Sequence, residues 1–309
     1  MGIEREWVHR TRNLSALSYR FAVRTDDVSV GRQIDAALGG LRDHLNTASV
    51  EHWYSLTAAD EPGGPVDVER DGEVLARRQQ SGDALGWVVW DVNRAAAAEA
   101  GADHLLFHSG AVEAGGTGIL LPGASGSGKS TLTAGLVRAG LGYLTDELAA
   151  LDMASGRLLP YPKPITVKPG SFAVLSDIGP DACLASGSRH WTGREWQVAV
   201  GEGTGRAIGR PCVPGFVIVP HFDAGADTTL TPLSDTQAFF ALAVNAVNLV
   251  AHGSAGTRAL GSLARGCRCF SLSFSDLDEA CRLVLELVTA DTAGAPAASA
   301  APGLAGCAS

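Results

Sequence analysis

An α/β fold in two units is what this sequence predicts, and three observations carry the prediction. Apolar segments switch repeatedly between strand-like alternation and helical spacing along most of the chain. A glycine-rich loop, Gly123-Ala124-Ser125-Gly126-Ser127-Gly128, lies between a short apolar strand and an amphipathic helix. An Ala/Pro/Gly-rich tail from Asp291 is too low in complexity to build a core, so residues 291–309 are expected to be disordered. The division is then a small α/β unit over 1–101 and a larger α/β unit over 102–290.

In the first unit, residues 14–24 alternate as a strand toward their end. Ile34, Ala37, Leu38, Leu41 and Leu45 fall on one helical face between residues 28 and 45. Glu61 to Pro65 is a loop. Residues 66–76 form a hairpin turning at Asp71-Gly72, a dipeptide that tolerates positive φ. Residues 87–90 lead into a helix through Ala100, ended by Gly101.

In the second unit, Leu105 to His108 is a strand, which 111–113 continue or pair with, and Gly115-Gly116 turns the chain. Residues 118–121 form the strand before the loop, and Lys129 to Ala139 the helix after it. Residues 143–145 form a strand ending at Asp146-Glu147, and a turn at Ser155-Gly156 joins 148–152 to 157–159. The segment Pro160-Tyr161-Pro162-Lys163-Pro164 is a rigid extended connection. Residues 185–210, rich in Gly and Arg, read as a mobile loop with a strand inside it. A buried strand at 216–219 follows. Helices are expected over 233–252, capped by Asp235 or Thr236, and over 276–288.

Bulk properties exclude several function classes. The chain has 309 residues, 46% of them hydrophobic, and a net charge of −9. That acidity disfavours nucleic acid as a partner. No apolar run approaches the ~18 residues of a membrane span, and the charged N-terminus lacks a secretory h-region. A cytoplasmic location is expected. The six cysteines, Cys183, Cys212, Cys267, Cys269, Cys281 and Cys307, form no C-x-x-C pair and are expected to be reduced and structural. Only three residues are lysine, Lys129, Lys163 and Lys168, against 21 arginines. All three survive within forty residues around the loop. Lysine and arginine differ where a compact point charge is needed, so Lys163 and Lys168 are candidates to face the site of Lys129.

Gly123-x-x-x-x-Gly128-Lys129-Ser130 fits the Walker A pattern in full. Its glycines let backbone N–H groups converge on phosphate oxygens. The helix that begins at Lys129 aims its positive end at the same anion. The expected ligand is a nucleoside triphosphate, ATP with Mg²⁺, bound by residues Gly123, Ala124, Ser125, Gly126, Ser127, Gly128, Lys129, Ser130 and Thr131. Lys129 reaches the β- and γ-phosphates, Ser130 binds the metal and Thr131 supports the α-phosphate. Asp146 lies 17 residues past Lys129 at a strand's carboxyl end, where ligands of open α/β sheets sit. Asp146 is expected to accept the proton of an attacking hydroxyl and Glu147 to hold metal or support it, the metal set being Ser130, Asp146 and Glu147. Both acids reach the site only if the strand ends or bulges there.

These motifs together resemble the HPr kinase/phosphorylase family. The resemblance rests on Leu105-Leu106-Phe107-His108, on the loop through Thr131, on Arg138-Ala139-Gly140, and on Asp146-Glu147 at the family's distance from the loop lysine. Pro160-Tyr161-Pro162-Lys163-Pro164-Ile165 is similar to a segment of shorter relatives, including kinases of lasso-peptide precursors. The resemblance is strong over residues 102–170. It implies a P-loop domain of the HPr kinase/phosphoenolpyruvate-carboxykinase-like type, Asp146 as base, His108 near the reacting groups, and a peptide or protein acceptor with a serine hydroxyl. Family members assemble, so a homo-oligomer is among the expectations. Glu147 stands where the family has a second Asp, Ser109 where it has Gly, and the segment tied to phosphorylase activity has no clear counterpart. A small-molecule hydroxyl kinase and a nucleotide-switch NTPase without phosphotransfer are the competing readings. An arginine of the loop, Arg189, Arg194, Arg206 or Arg210, is a candidate to stabilise a transferring phosphoryl group.

Overall fold

A computed structural model describes residues 6–43, 49–58, 64–101, 103–179 and 195–294. The expectations for most of the loop at 61–65, for Cys183, Arg189, Arg194 and Cys307, and for the tail from 295 lie outside these residues. The architecture is mixed α/β, with several sheets and helices. No helix among the described residues is long and apolar enough to cross a membrane.

The first sheet contains β1 (His9–Arg10), β2 (Leu14–Ala16), β3 (Tyr19–Thr25), β4 (His52–Ala58), β5 (Val66–Arg70) and β6 (Glu73–Gln79), in the order β1-β3-β4-β5-β6 with β2 on β3. The β5–β6 hairpin turns at Asp71 and Gly72, which both take positive φ as the dipeptide predicts. Helix α1 (Val28–Ala37) is capped by Asp27, whose carboxylate accepts from the N–H groups of Ser29 and Val30. It is shorter than the apolar spacing suggests, because Gly39-Gly40 tightens the chain into a 3₁₀ turn. Helix α2 (Ser81–Glu99) begins six residues earlier than the first apolar cue at Trp87. Its inner face, Leu85, Val88, Val92 and Ala96, packs with Phe21, Tyr54, Leu56 and Val68 of the sheet.

The second sheet joins β7 (His104–Ala114), β8 (Thr117–Pro122), β9 (Gly142–Thr145), β10 (Leu148–Asp152), β11 (Leu158–Leu159), β14 (Val213–Phe222), β15 (Thr229–Pro232) and β16 (Arg268–Phe274). Its order is β11-β10-β7-β8-β14-β16-β15, with β9 also on β7. Strands β8, β14 and β16 are mutually parallel, and Ile119, Leu120 and Leu121 of β8 are buried on both faces, as central parallel strands require. A separate pair, β12 (Ile165–Val167) with β13 (Trp196–Val198), supplies the strand expected inside the loop. Leu106 of β7, Leu148 and Ala150 of β10, and Tyr161 complete the first unit's core.

Helices cover both faces of the second sheet. On one lie α3 (Lys129–Arg138) and α6 (Leu277–Gly294), packing Leu132, Leu136 and Val284 against Val112, Ile119 and Phe216. On the other lie α4 (Asp235–Asn245) and α5 (Leu249–Gly266), packing Leu242 and Leu260 against Phe107 and Val217. The single helix expected over 233–252 is therefore two. At the break, the Val247 N–H donates to the Leu106 carbonyl, and the Asn248 side chain accepts from the Leu106 N–H and donates to the His104 carbonyl. These tertiary bonds replace the helical ladder. The cap of α4 is Ser234, not Asp235 or Thr236: Ser234 and Gln237 form a reciprocal capping box.

Candidate functional site

The glycine-rich loop leaves β8 at Pro122 and enters α3 at Lys129. Gly128 caps the helix in the left-handed region, at φ 89°, and makes no side-chain bond to the free N–H groups of the first turn. No acidic residue occupies that turn either. The helix therefore turns its positive end and first-turn N–H groups toward the loop's concavity, a geometry that suits an anion. The loop is anchored from behind by the Phe222 N–H, which donates to the Ser127 carbonyl. At the other end of α3, bonds from Gly140 to Val137 and from Leu141 to Leu136 close the helix as a Schellman motif.

Gly128 has a second reason to be glycine, because a Cβ there would lie 2.7 Å from the Phe274 ring. Gly128→Ala adds that clash to left-handed backbone strain of ~1–3 kcal/mol. The expected result is a thermal midpoint lowered by several degrees, measured by calorimetry.

The C-terminal ends of the parallel strands β8, β14 and β16 meet around this loop, at the position where open α/β sheets bind ligands. They border a cavity of about 340 Å³. One part of its lining is polar: Lys129, Ser130, Thr131, Thr166, Lys168 and Ser171. The other is apolar: Val174, Phe222, Phe274 and Leu277. Among the described residues, no acidic side chain lines it.

Strand β7 organises the chemistry beside the cavity. Ser109 and Gly110 pair with Pro122 and Leu121 on one side, and the Ser109 N–H donates to the Glu147 carbonyl on the other. The glycine-rich loop and the acidic pair thus flank the same short stretch of β7, two strand spacings apart or about 10 Å. Helix α3 comes close to β7 because Gly110 has no side chain; a Cβ there would lie 2.2 Å from the Thr133 hydroxyl. That approach brings the Lys129 Nζ to 2.9 Å from the His108 Nε2. An ammonium only donates, so Nε2 accepts and the ring proton resides on Nδ1. Burial and the adjacent Lys129 charge hold His108 below its ordinary pKa. Burial also lowers Lys129, against the opposing pull of Glu147 and then Asp146.

The two acids have different surroundings. Asp146 has a side chain 1% exposed, and both its oxygens are engaged. One accepts from the Tyr143 hydroxyl (2.8 Å) and the Lys163 Nζ (2.7 Å), the other from the Thr166 N–H (3.0 Å). The expected open carboxylate at Asp146 is therefore an internal ion pair in this conformation, although its backbone carbonyl lies 3.4 Å from the Ser130 hydroxyl. Glu147 is 43% exposed and lies 3.6 Å from Lys163. Of the two acids it also acts more strongly on both Lys129 and His108. The chain between β9 and β10 is irregular at these two residues, which meets the condition that the strand must break there.

All nine loop residues named from the sequence lie on the turn and first helical turn, and His108, Asp146 and Glu147 lie beside them. Both remaining lysines face the region: Lys163 on Asp146, Lys168 in the cavity wall. Arg206 donates to carbonyls of its own turn, Ala199 and Thr204, and Arg210 is exposed. Sequence reasoning missed Tyr143, Thr166 and Ser171, the last of which hydrogen-bonds the Thr131 hydroxyl. Nothing in their local pattern marks them. Phe222 and Phe274 carried a signal, since each ends a strand parallel to β8.

No protein-family model matches this chain, and no curated protein matches it in sequence. Elsewhere, Glu51, His52 and Glu99 place ligand-type atoms within 4.8 Å of one another, but His52 already bonds Asp71 at 2.7 Å.

Proposed function

We propose that this protein is an ATP-dependent kinase that transfers the γ-phosphoryl group to a hydroxyl, a serine of a peptide or protein. The observation that carries the reading is the meeting of an uncapped, glycine-led helix N-terminus with Lys129, His108 and an open carboxylate across one strand. Phosphoryl transfer needs little more from a protein than positioning, charge neutralisation and removal of one proton.

The residues fit a bound nucleotide. The free N–H groups of α3 and the Lys129 ammonium meet the phosphates, and the apolar part of the cavity accepts a base. Ser130, as the hydroxyl at the helix start, would hold Mg²⁺, which neutralises polyphosphate charge when bound. Glu147 takes the proton of the acceptor hydroxyl. The acceptor oxygen bonds to the γ-phosphorus, and the bond from that phosphorus to the β–γ bridging oxygen breaks, releasing ADP. Asp146, held by Lys163, fixes the Thr166 backbone and the chain beneath Glu147. Neutral His108 orients Lys129 through its Nε2.

The test is incubation with γ-labelled ATP and a panel of serine-bearing peptides, proteins and small alcohols. Label on a serine is the expected outcome. Label on a small alcohol, or steady hydrolysis of ATP with no acceptor labelled, overturns the assignment in favour of a metabolite kinase or an NTPase.

A further inference from the structure

The three lysines of this chain do three different things. Lys129 bonds His108, and Lys163 is buried on Asp146. Lys168 lines the cavity with Gly126, Gly128, Lys129 and Ser130, and its ammonium has no ion-pair partner among the described residues. Among the described residues, the lining brings two lysines and a helix N-terminus to one cavity without a carboxylate, a set that favours an anion.

Lys168 is also held in place. It lies on a strap, residues 160–171, that is pinned on both sides of it. The Thr166 N–H bonds the Asp146 carboxylate, and the Ser171 hydroxyl bonds Thr131 on α3. Pro169 begins a 3₁₀ turn directly after Lys168 and restricts the backbone between the pins. The positive charge of Lys168 acts on both Lys129 and His108. Of the described loop arginines, Arg206 is spent on its own turn.

We propose that Lys168 is the second cation of the site and contacts the terminal phosphate of the bound nucleoside triphosphate opposite Lys129. The inference rests on the nucleotide-binding part of the kinase reading. It assigns to a lysine on the strap the charge stabilisation expected of a loop arginine. A point charge on a flexible stem can follow the phosphoryl oxygens as the bridging bond lengthens.

The experiment compares binding of Mg²⁺-ADP and of a Mg²⁺-bound β,γ-imido ATP analogue by calorimetry, for the full chain and for Lys168→Ala, Lys168→Met and Lys168→Arg. Loss of one charge-assisted contact corresponds to about 10- to 100-fold in affinity. Lys168→Ala and Lys168→Met are expected to lose that much for the triphosphate and less than about 3-fold for the diphosphate, with Lys168→Arg restoring most of it. Equal losses for both nucleotides, or no loss for either, overturns the proposal. The side chain is exposed, so folding of the variants is expected, and an unchanged thermal midpoint checks it. The readout needs no acceptor: if the labelling assay finds none, discrimination of triphosphate from diphosphate by Lys168 still stands or fails by itself.

Discussion

Glu147→Gln is expected to lower phosphoryl transfer by about 10²- to 10⁴-fold while nucleotide affinity stays within a few-fold of the parent protein. The substitution keeps the size and hydrogen-bonding reach of the side chain and removes its basicity. Glu147 is the exposed carboxylate of the two, and Lys163, its ion-pair partner at 3.6 Å, is already engaged by Asp146 at 2.7 Å. Its removal should therefore disturb little else. Measured as kcat and KM for labelled peptide, the loss should fall on kcat, since the proton is taken in the transition state. Lys129→Ala makes the control, because it should damage nucleotide binding and transfer together. If Glu147→Gln transfers phosphate at the parental rate while Asp146→Asn stops transfer in a folded protein, the proton acceptor is Asp146. Lys163 would then have to release that carboxylate during the reaction.

How much of this site the sequence made legible depends on the kind of signal each residue carries. The glycine-rich loop is a local device: its positive φ at Gly128 and its helix start follow from residues adjacent in the chain, so pattern alone locates it. Asp146 and Glu147 are legible as a strand end, because the apolar run of β9 stops there. Which of the two is open is not legible. That choice is set by Lys163, Tyr143 and Thr166. Thr166 and Lys163 reach Asp146 only because the proline-rich strap turns back across α3. Composition compensated in part: the scarcity of lysine marked Lys163 and Lys168 without saying what they touch. The fold shows the same division. The Asp71-Gly72 hairpin and the Gly115-Gly116 turn are written locally. The break between α4 and α5 is not, since it exists to satisfy Leu106 of a strand about 140 residues earlier. The sheet order is likewise set by non-local pairing, with β7 between the loop strand and the acid strand.

The second large effect is expected in stability. Lys163 and Asp146 are each 1% exposed and form an ion pair at 2.7 Å, supplemented by the Tyr143 hydroxyl, the Pro164 carbonyl and the Thr166 N–H. Removing one partner leaves the other charge buried and unpaired, which costs about 3–5 kcal/mol. Asp146→Asn and Lys163→Met are each expected to lower the thermal midpoint by on the order of 10 °C, read by calorimetry or circular dichroism. The double substitution Asp146→Leu with Lys163→Met removes both charges and should recover much of the loss, because apolar replacement of a whole buried pair is often neutral. Burial alone would lower the Lys163 pKa, but the attraction of Asp146 and Glu147 outweighs it and holds the ammonium above its ordinary value of 10.5. A raised pKa means the folded state retains this proton more tightly than the unfolded chain. The contribution is therefore complete below pH 10.5 and declines as pH rises through the higher folded value. Between neutrality and about pH 9, the difference in midpoint between parent and Lys163→Met should stay constant. It should narrow only in strong alkali, where the parent loses what the variant never had. A single variant as stable as the parent would mean the pair contributes nothing to the fold, and that the strap carrying Lys163, Thr166 and Lys168 is held by its prolines and the Ser171–Thr131 bond instead.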